Sequence, residues 1–143
     1  MYTVSLSSMI EKMSLENLTP DIELSSIKIS QPDVNRPALQ LAGFFDHFDS
    51  QRVQVIGYVE NAYVQRNKEI GFENLSRLMD YKVPCIVFSR SIEVSDRVIK
   101  IATEKAIPIL RTSKTTSSFM AEVIRWLNVE LAPRITIHGG LVD

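Results

Sequence analysis

From Arg52 onward the chain alternates short apolar runs with longer stretches of helical periodicity, and few folds accept that order. Arg52-Val53-Gln54-Val55-Ile56, Cys85-Ile86-Val87-Phe88 and Ile107-Pro108-Ile109-Leu110 each read as a strand by length and apolar content. Helical spacing separates and follows them. Glu73 to Tyr81 sets Leu75, Leu78 and Met79 on one face, and Ser95 to Lys105 does the same with Val98, Ile99 and Ala102. Thr115 to Leu131 carries Phe119, Val123, Ile124 and Leu127 at matching intervals, and Arg134-Ile135-Thr136-Ile137-His138 reads as the opening of a further strand. Strands that alternate with helices are joined by right-handed crossovers, which generate a parallel sheet. A strand apolar on both faces, as Cys85–Phe88 is, requires helices on both sides. The expected fold is therefore α/β, a layered domain with a mainly parallel sheet flanked by helices.

The opening third is less decisive. Leu6, Met9, Ile10 and Met13 share a helical face behind Ser5 or Ser7 as a cap. Ile27-Lys28-Ile29 alternates like a short strand, and Gln31-Pro32-Asp33-Val34-Asn35 is rich in turn formers. Arg36 to Gly43 reads as a helical turn with Pro37 near its start and Gly43 past its end, the positions where each residue costs least. Phe44, Phe45 and Phe48 then form an aromatic cluster around His47. Burial in the core is its favoured reading and a hydrophobic contact surface the alternative, with His47 a surface or packing residue.

Composition narrows the function classes. At 143 residues the chain has the length of one domain. Sixteen basic against seventeen acidic residues leave a net charge of −1, so no bulk field draws it to nucleic acid or to an anionic membrane. No apolar run approaches the roughly 20 residues that span a bilayer, and the acidic N-terminal stretch lacks the pattern of a secretory signal. The single Cys85 has no disulfide partner within the chain, which fits a reducing cytoplasm, and its apolar run makes it core filler rather than a nucleophile. With two histidines and one cysteine, no structural metal site is expected. The sequence holds no Gly-x-x-x-x-Gly-Lys-Ser/Thr loop and no Gly-x-Gly-x-x-Gly, so a self-sufficient nucleotide-dependent enzyme is disfavoured.

One arrangement still suggests binding. Ligands of parallel sheets lie beyond the carboxyl ends of the strands. There the chain delivers Ser89-Arg90-Ser91 and Arg111-Thr112-Ser113-Lys114-Thr115-Thr116, the second of which opens a helix. Arg90, Arg111, Thr112 and Thr115 are the candidates to hold a phosphate or carboxylate between them. The competing reading makes the hydroxyls helix caps and the arginines solvated loop charges. By residue type alone, His138 before Gly139-Gly140 is an exposed imidazole on a flexible hinge, with no structural role of its own.

Four ordered blocks carry a family resemblance along the whole chain. Arg36-Pro37-Ala38-Leu39-Gln40-Leu41-Ala42-Gly43-Phe44-Phe45-Asp46 is followed by Pro84-Cys85-Ile86-Val87, then by Ile107 to Thr112 with Thr115-Thr116, then by Leu131 to Asp143. In register, they resemble the N-terminal half of HPr kinase/phosphorylases. That resemblance implies a parent protein that uses ATP and Mg²⁺ to phosphorylate a seryl residue of HPr, the phosphocarrier of the sugar phosphotransferase system. The same parent would remove the phosphate by phosphorolysis, in carbon catabolite repression. It further implies a cytoplasmic homohexamer, and a fold similar to the uridine-nucleotide-binding first domain of Mur ligases. Residues 1–133 would form the non-catalytic N-terminal domain, regulatory or architectural in role, or alternatively a sensor of small anions or nucleotides. Residues 134–143 would open the junction to a kinase domain, with the family's active-site histidine falling on His138. No cofactor is then expected in this chain by itself, which should be inactive as a kinase.

Overall fold

The computed structural model describes residues 2–133. Along the chain come β1 (Val4–Ser5), α1 (Leu6–Met13), β2 (Glu16–Asn17), β3 (Lys28–Ile29), β4 (Val34–Asn35), α2 (Ala38–Leu41) and β5 (Val53–Ile56). Then follow α3 (Tyr58–Arg66), α4 (Lys68–Asp80), β6 (Ile86–Phe88), α5 (Asp96–Lys105), β7 (Ile109–Arg111) and α6 (Thr116–Glu130). A five-stranded sheet in the order β2-β7-β6-β5-β4 organises them. β4, β5, β6 and β7 run parallel, and β2 closes the β7 edge antiparallel, with Glu16 opposite Arg111. β1 and β3 form a separate antiparallel pair. The α/β class, with a mainly parallel sheet between helices, is as the sequence led us to expect.

The period of two along the central strands sorts their side chains onto two faces. Val53, Val55, Val87 and Leu110 face one core with Leu6, Met9 and Met13 of α1 and Phe119, Val123 and Leu127 of α6. Ile56, Ile86, Phe88 and Ile109 face the other, with Leu75, Leu78 and Met79 of α4 and Val98 and Ala102 of α5. Cys85 is fully buried in the first of these, as its apolar run suggests. Gln54 is the polar exception in β5. Its buried amide accepts from Asn35 Nδ2 at 2.7 Å and donates to the Arg52 carbonyl at 2.8 Å, so it carries no unsatisfied group.

Local capping explains where the helices begin. Ser5, Ser95 and Thr115 each accept the amide three residues on, from Ser8, Val98 and Ser118. Gly43 follows α2 at φ +99°, a conformation that a side chain would strain. The aromatic cluster divides: Phe45 is buried, Phe48 half-buried and Phe44 exposed. Phe45 stacks on Tyr81 at 4.9 Å between ring centres, with the Arg77 guanidinium 4.3 Å from its own ring centre. His47 is exposed, at φ +60°.

Candidate functional site

The parallel strands bring Arg36, Gly57, Ser89-Arg90 and Thr112 to the carboxyl end of the sheet, each just past the end of its strand. Gly57 sets the geometry there. A β-carbon on it would stand 2.5 Å from Thr116 Oγ1, 2.9 Å from Arg36 Nη2 and 3.2 Å from Glu60 Oε1. Without one, these three groups close around the start of α3. Glu60, buried at 4% exposure, accepts the Gly57 amide at 2.7 Å and Arg36 Nη2 at 2.9 Å, so its charge is paired. On the other side Thr116 Oγ1 and Ser89 Oγ share a buried hydrogen bond of 2.6 Å, and Ser89 donates to the Ile56 carbonyl at 3.4 Å. Strand ends and helix starts are thereby tied into one rigid floor.

Above that floor, Arg90 and Ser91 both take left-handed conformations, at φ 55° and 52°. Each such residue costs about 1–2 kcal/mol, offset here by backbone bonds of 2.9 Å from Arg90 N–H to the Lys114 carbonyl and from Ser91 N–H to the Thr112 carbonyl. The excursion carries the Arg90 guanidinium to 4.9 Å from the centre of the exposed Tyr58 ring. No carboxylate pairs with Arg90 among the described residues. A cleft of about 330 Å³ lies between Arg36, Tyr58, Val59, Arg90, Thr116 and Ser117. A second cleft of about 530 Å³ is also lined by Tyr58 and Arg90, with Asn61, Gln65, Glu93 and Ser95 in its wall. With Glu60 neutralised by Arg36, the floor and rim of the smaller cleft carry one uncompensated positive charge, at Arg90.

The four anion candidates do not line one cleft. Arg90 lines both clefts. Arg111 instead grips Glu16 through Nε and Nη2 at 3.0 and 3.1 Å and donates from Nη1 to the Ile92 carbonyl, locking the β2 edge. Thr112 is buried and accepts the Lys114 amide at 3.2 Å, while Thr115 caps α6. Arg90 therefore shares a cleft with Arg36, Thr116 and Ser117 rather than with Arg111, Thr112 and Thr115. His138 lies outside the described residues. Arg36 escaped the sequence reading because β4, which presents it, is two residues long inside a stretch rich in turn formers. A signal did exist at Gly57, a glycine set between a strand and a helix, where close backbone approach is common.

Residues 4–127 match the model of a family described as HPr Serine kinase N terminus. The HPr kinase/phosphorylase of Lachnoclostridium phytofermentans is 65% identical over 144 aligned positions, covering 100% of this chain and 47% of that protein. The HPr kinase/phosphorylase of Alkaliphilus metalliredigens is 38% identical, covering 100% of this chain and 46% of that protein. The chain thus spans about half the length of the curated relatives it matches. Among solved structures, the CBS and DRTGG domains of the regulatory region of Clostridium perfringens pyrophosphatase, complexed with the activator diadenosine tetraphosphate, align with a TM-score of 0.61. That alignment covers 90% of this chain and 47% of the other at 17% identity, a likeness of fold alone, and it is silent on the expected likeness to Mur ligases. The family match runs through every strand of the main sheet and both cores, and the relatives align along the whole chain: this chain belongs to the HPr Serine kinase N terminus family.

Proposed function

We propose that this chain is the non-catalytic N-terminal domain of a bifunctional HPr kinase/phosphorylase, serving assembly or regulation of the whole protein. The observation that carries this reading is the 65% identity, along the entire chain, to an HPr kinase/phosphorylase of which the chain covers 47%. The whole protein would phosphorylate a seryl residue of HPr with ATP and Mg²⁺ and reverse the reaction by phosphorolysis. It would do so as a cytoplasmic homohexamer, with residues 1–133 as this domain and 134–143 as the junction to the kinase domain. His138, in that junction, would be a catalytic residue of the whole protein, placed where an imidazole moves a proton or donates to a phosphoryl oxygen.

We place the Mg²⁺ and ATP of the whole protein outside the residues described here. Among them no three His, Cys, Asp or Glu side chains group as metal ligands, and the sequence has no phosphate loop of the Gly-x-x-x-x-Gly-Lys-Ser/Thr type. We assign them no step of phosphoryl transfer, which depends on positioning and charge stabilisation around the nucleotide. Among the described residues no helix is long and apolar enough to cross a membrane.

The test is transfer of label from ATP to purified HPr in Mg²⁺, by the 143-residue chain and by the protein extended to the length of its relatives. We expect transfer from the extended protein alone, reduced in both directions by His138→Ala while ATP binding persists. Transfer by the short chain at the rate of the long one would overturn the reading.

A further inference from the structure

We propose that the crevice between Arg36 and Arg90 is a binding site for an organic phosphate monoester. In this site the phosphoryl group lies between the two guanidinium groups and the organic part extends along Tyr58. The proposal concerns a binding event in this domain and stands apart from any phosphoryl transfer by the whole protein.

Charge and donors define the phosphoryl end. Arg36 uses one of its five N–H donors, on Glu60 Oε1, and is 39% exposed, so the rest of its fork remains accessible to the cleft. Arg90 contributes a full charge that no carboxylate offsets among the described residues. Thr116 and Ser117 complete the wall, and their backbone N–H groups, in the opening turn of α6, have no carbonyl partner within the helix. Two forks and two amides suit three phosphoryl oxygens bearing close to two charges better than the two oxygens of a carboxylate.

Space defines the other end. A cleft of about 330 Å³ exceeds what an inorganic phosphate fills, and the 530 Å³ cleft shares Tyr58 and Arg90 with it as lining. Each falls in the size range of small-molecule sites, about 300–1,000 Å³. Tyr58 is 58% exposed although its ring is flanked by Arg90, leaving aromatic surface for a sugar or base ring. Asn61, Gln65 and Ser95 offer donors and acceptors beyond it, and Glu93 an acceptor for hydroxyl or amino groups. A charged end and a polar ring end, joined by an aromatic wall, describe one elongated ligand.

Calorimetric titration of this chain with inorganic phosphate, ribose 5-phosphate and adenosine 5′-monophosphate tests the proposal and separates its two sources of organic phosphate. At least one organic phosphate should bind more tightly than inorganic phosphate, by about tenfold or more, and more weakly as salt rises. Arg90→Ala should weaken it by roughly 10- to 100-fold, the loss of a charge-assisted hydrogen bond. Tyr58→Ala should weaken the organic ligand and leave inorganic phosphate unaffected. Ser117→Glu puts a negative charge on the exposed cleft wall, at a helix position that tolerates acids, and should abolish binding with the fold intact. Arg111→Ala should leave binding unchanged. Absence of binding by all three compounds at millimolar concentration would overturn the proposal. So would inorganic phosphate binding as tightly as both organic ligands, or full affinity in Arg90→Ala and Ser117→Glu.

Discussion

Gly57 and Cys85 illustrate two different ways in which a single residue constrains this chain. At Gly57 the backbone φ is −105°, open to any residue, so the constraint is the crowding of Thr116, Arg36 and Glu60. Gly57→Ala should swing the Thr116 hydroxyl away from Ser89 and leave that serine without its short partner, at about 1–3 kcal/mol of stability. Denaturant unfolding of the variant measures this, and Gly57→Ala in Thr116→Val should cost less than the sum of the two changes, because both remove the same bond. Cys85 acts through its surroundings. Burial alone pushes its thiol well above the ordinary value of 9.0, so the folded chain keeps the proton that the unfolded chain gives up. The unfolded state therefore binds fewer protons at alkaline pH. The stabilising effect is complete below about pH 9 and is lost above it by about 1.4 kcal/mol per pH unit. Thermal unfolding between pH 8 and 10.5 should show Cys85→Ala losing less stability than the parent chain. Parallel profiles would mean that the thiol ionises in the folded protein.

At the scale of the element, α3 inverts the usual helical logic. It exposes Tyr58, Val59 and Tyr63 and buries Glu60, whose carboxylate anchors the helix start to Gly57 and Arg36. Glu60→Ala leaves a buried amide and a guanidinium without their acceptor and should cost about 2–3 kcal/mol by urea unfolding, whereas Glu60→Gln, which can still accept from Gly57, should cost about 1. Equal losses would place the stabilisation in packing rather than in the acceptor. The same inversion hid α3 from a reading based on apolar spacing, which registered only the later part of α4. Elements whose apolar face meets the sheet were legible: α5, α6, β5 and β6 lie within a residue or so of their expected bounds. β7 begins two residues late because Ile107 and Pro108 enter the core as extended chain, with the Pro108 carbonyl accepting the Ile86 amide. β2 and β4 are two residues each, too short for a period of two to register. Of the candidate cleft, Arg90 is legible because a loop after a strand is local, and Arg36 is not, because only the sheet order sets β4 beside β5.

The whole molecule depends on its opening segment more than the weak sequence signals there suggest. Leu6, Met9, Met13, Leu15 and Ile29 all belong to the core on one face of the sheet, each at most 8% exposed. β2 and its extension cover the β7 edge: Leu18 N–H donates to the Ile109 carbonyl at 2.9 Å, and Thr19 Oγ1 accepts the Ile109 amide at 3.0 Å. The Arg111–Glu16 pair on the same edge is peripheral by comparison, since Glu16 is 58% exposed and such pairs contribute under about 1 kcal/mol. Glu16→Ala should therefore lower the unfolding midpoint only slightly. Deleting residues 1–30 is a different matter. Burial of five large apolar side chains at about 1.5–3 kcal/mol each is comparable to the entire net stability of a domain, about 5–15 kcal/mol, and the deletion also bares a strand edge open to pairing with other chains. The shortened chain should bind a hydrophobic dye, elute as aggregate on a sizing column and show no cooperative thermal transition. A monomer that still unfolds cooperatively would show that the four parallel strands and their helices hold together without the opening segment, and that α1 is a cover laid on a finished core.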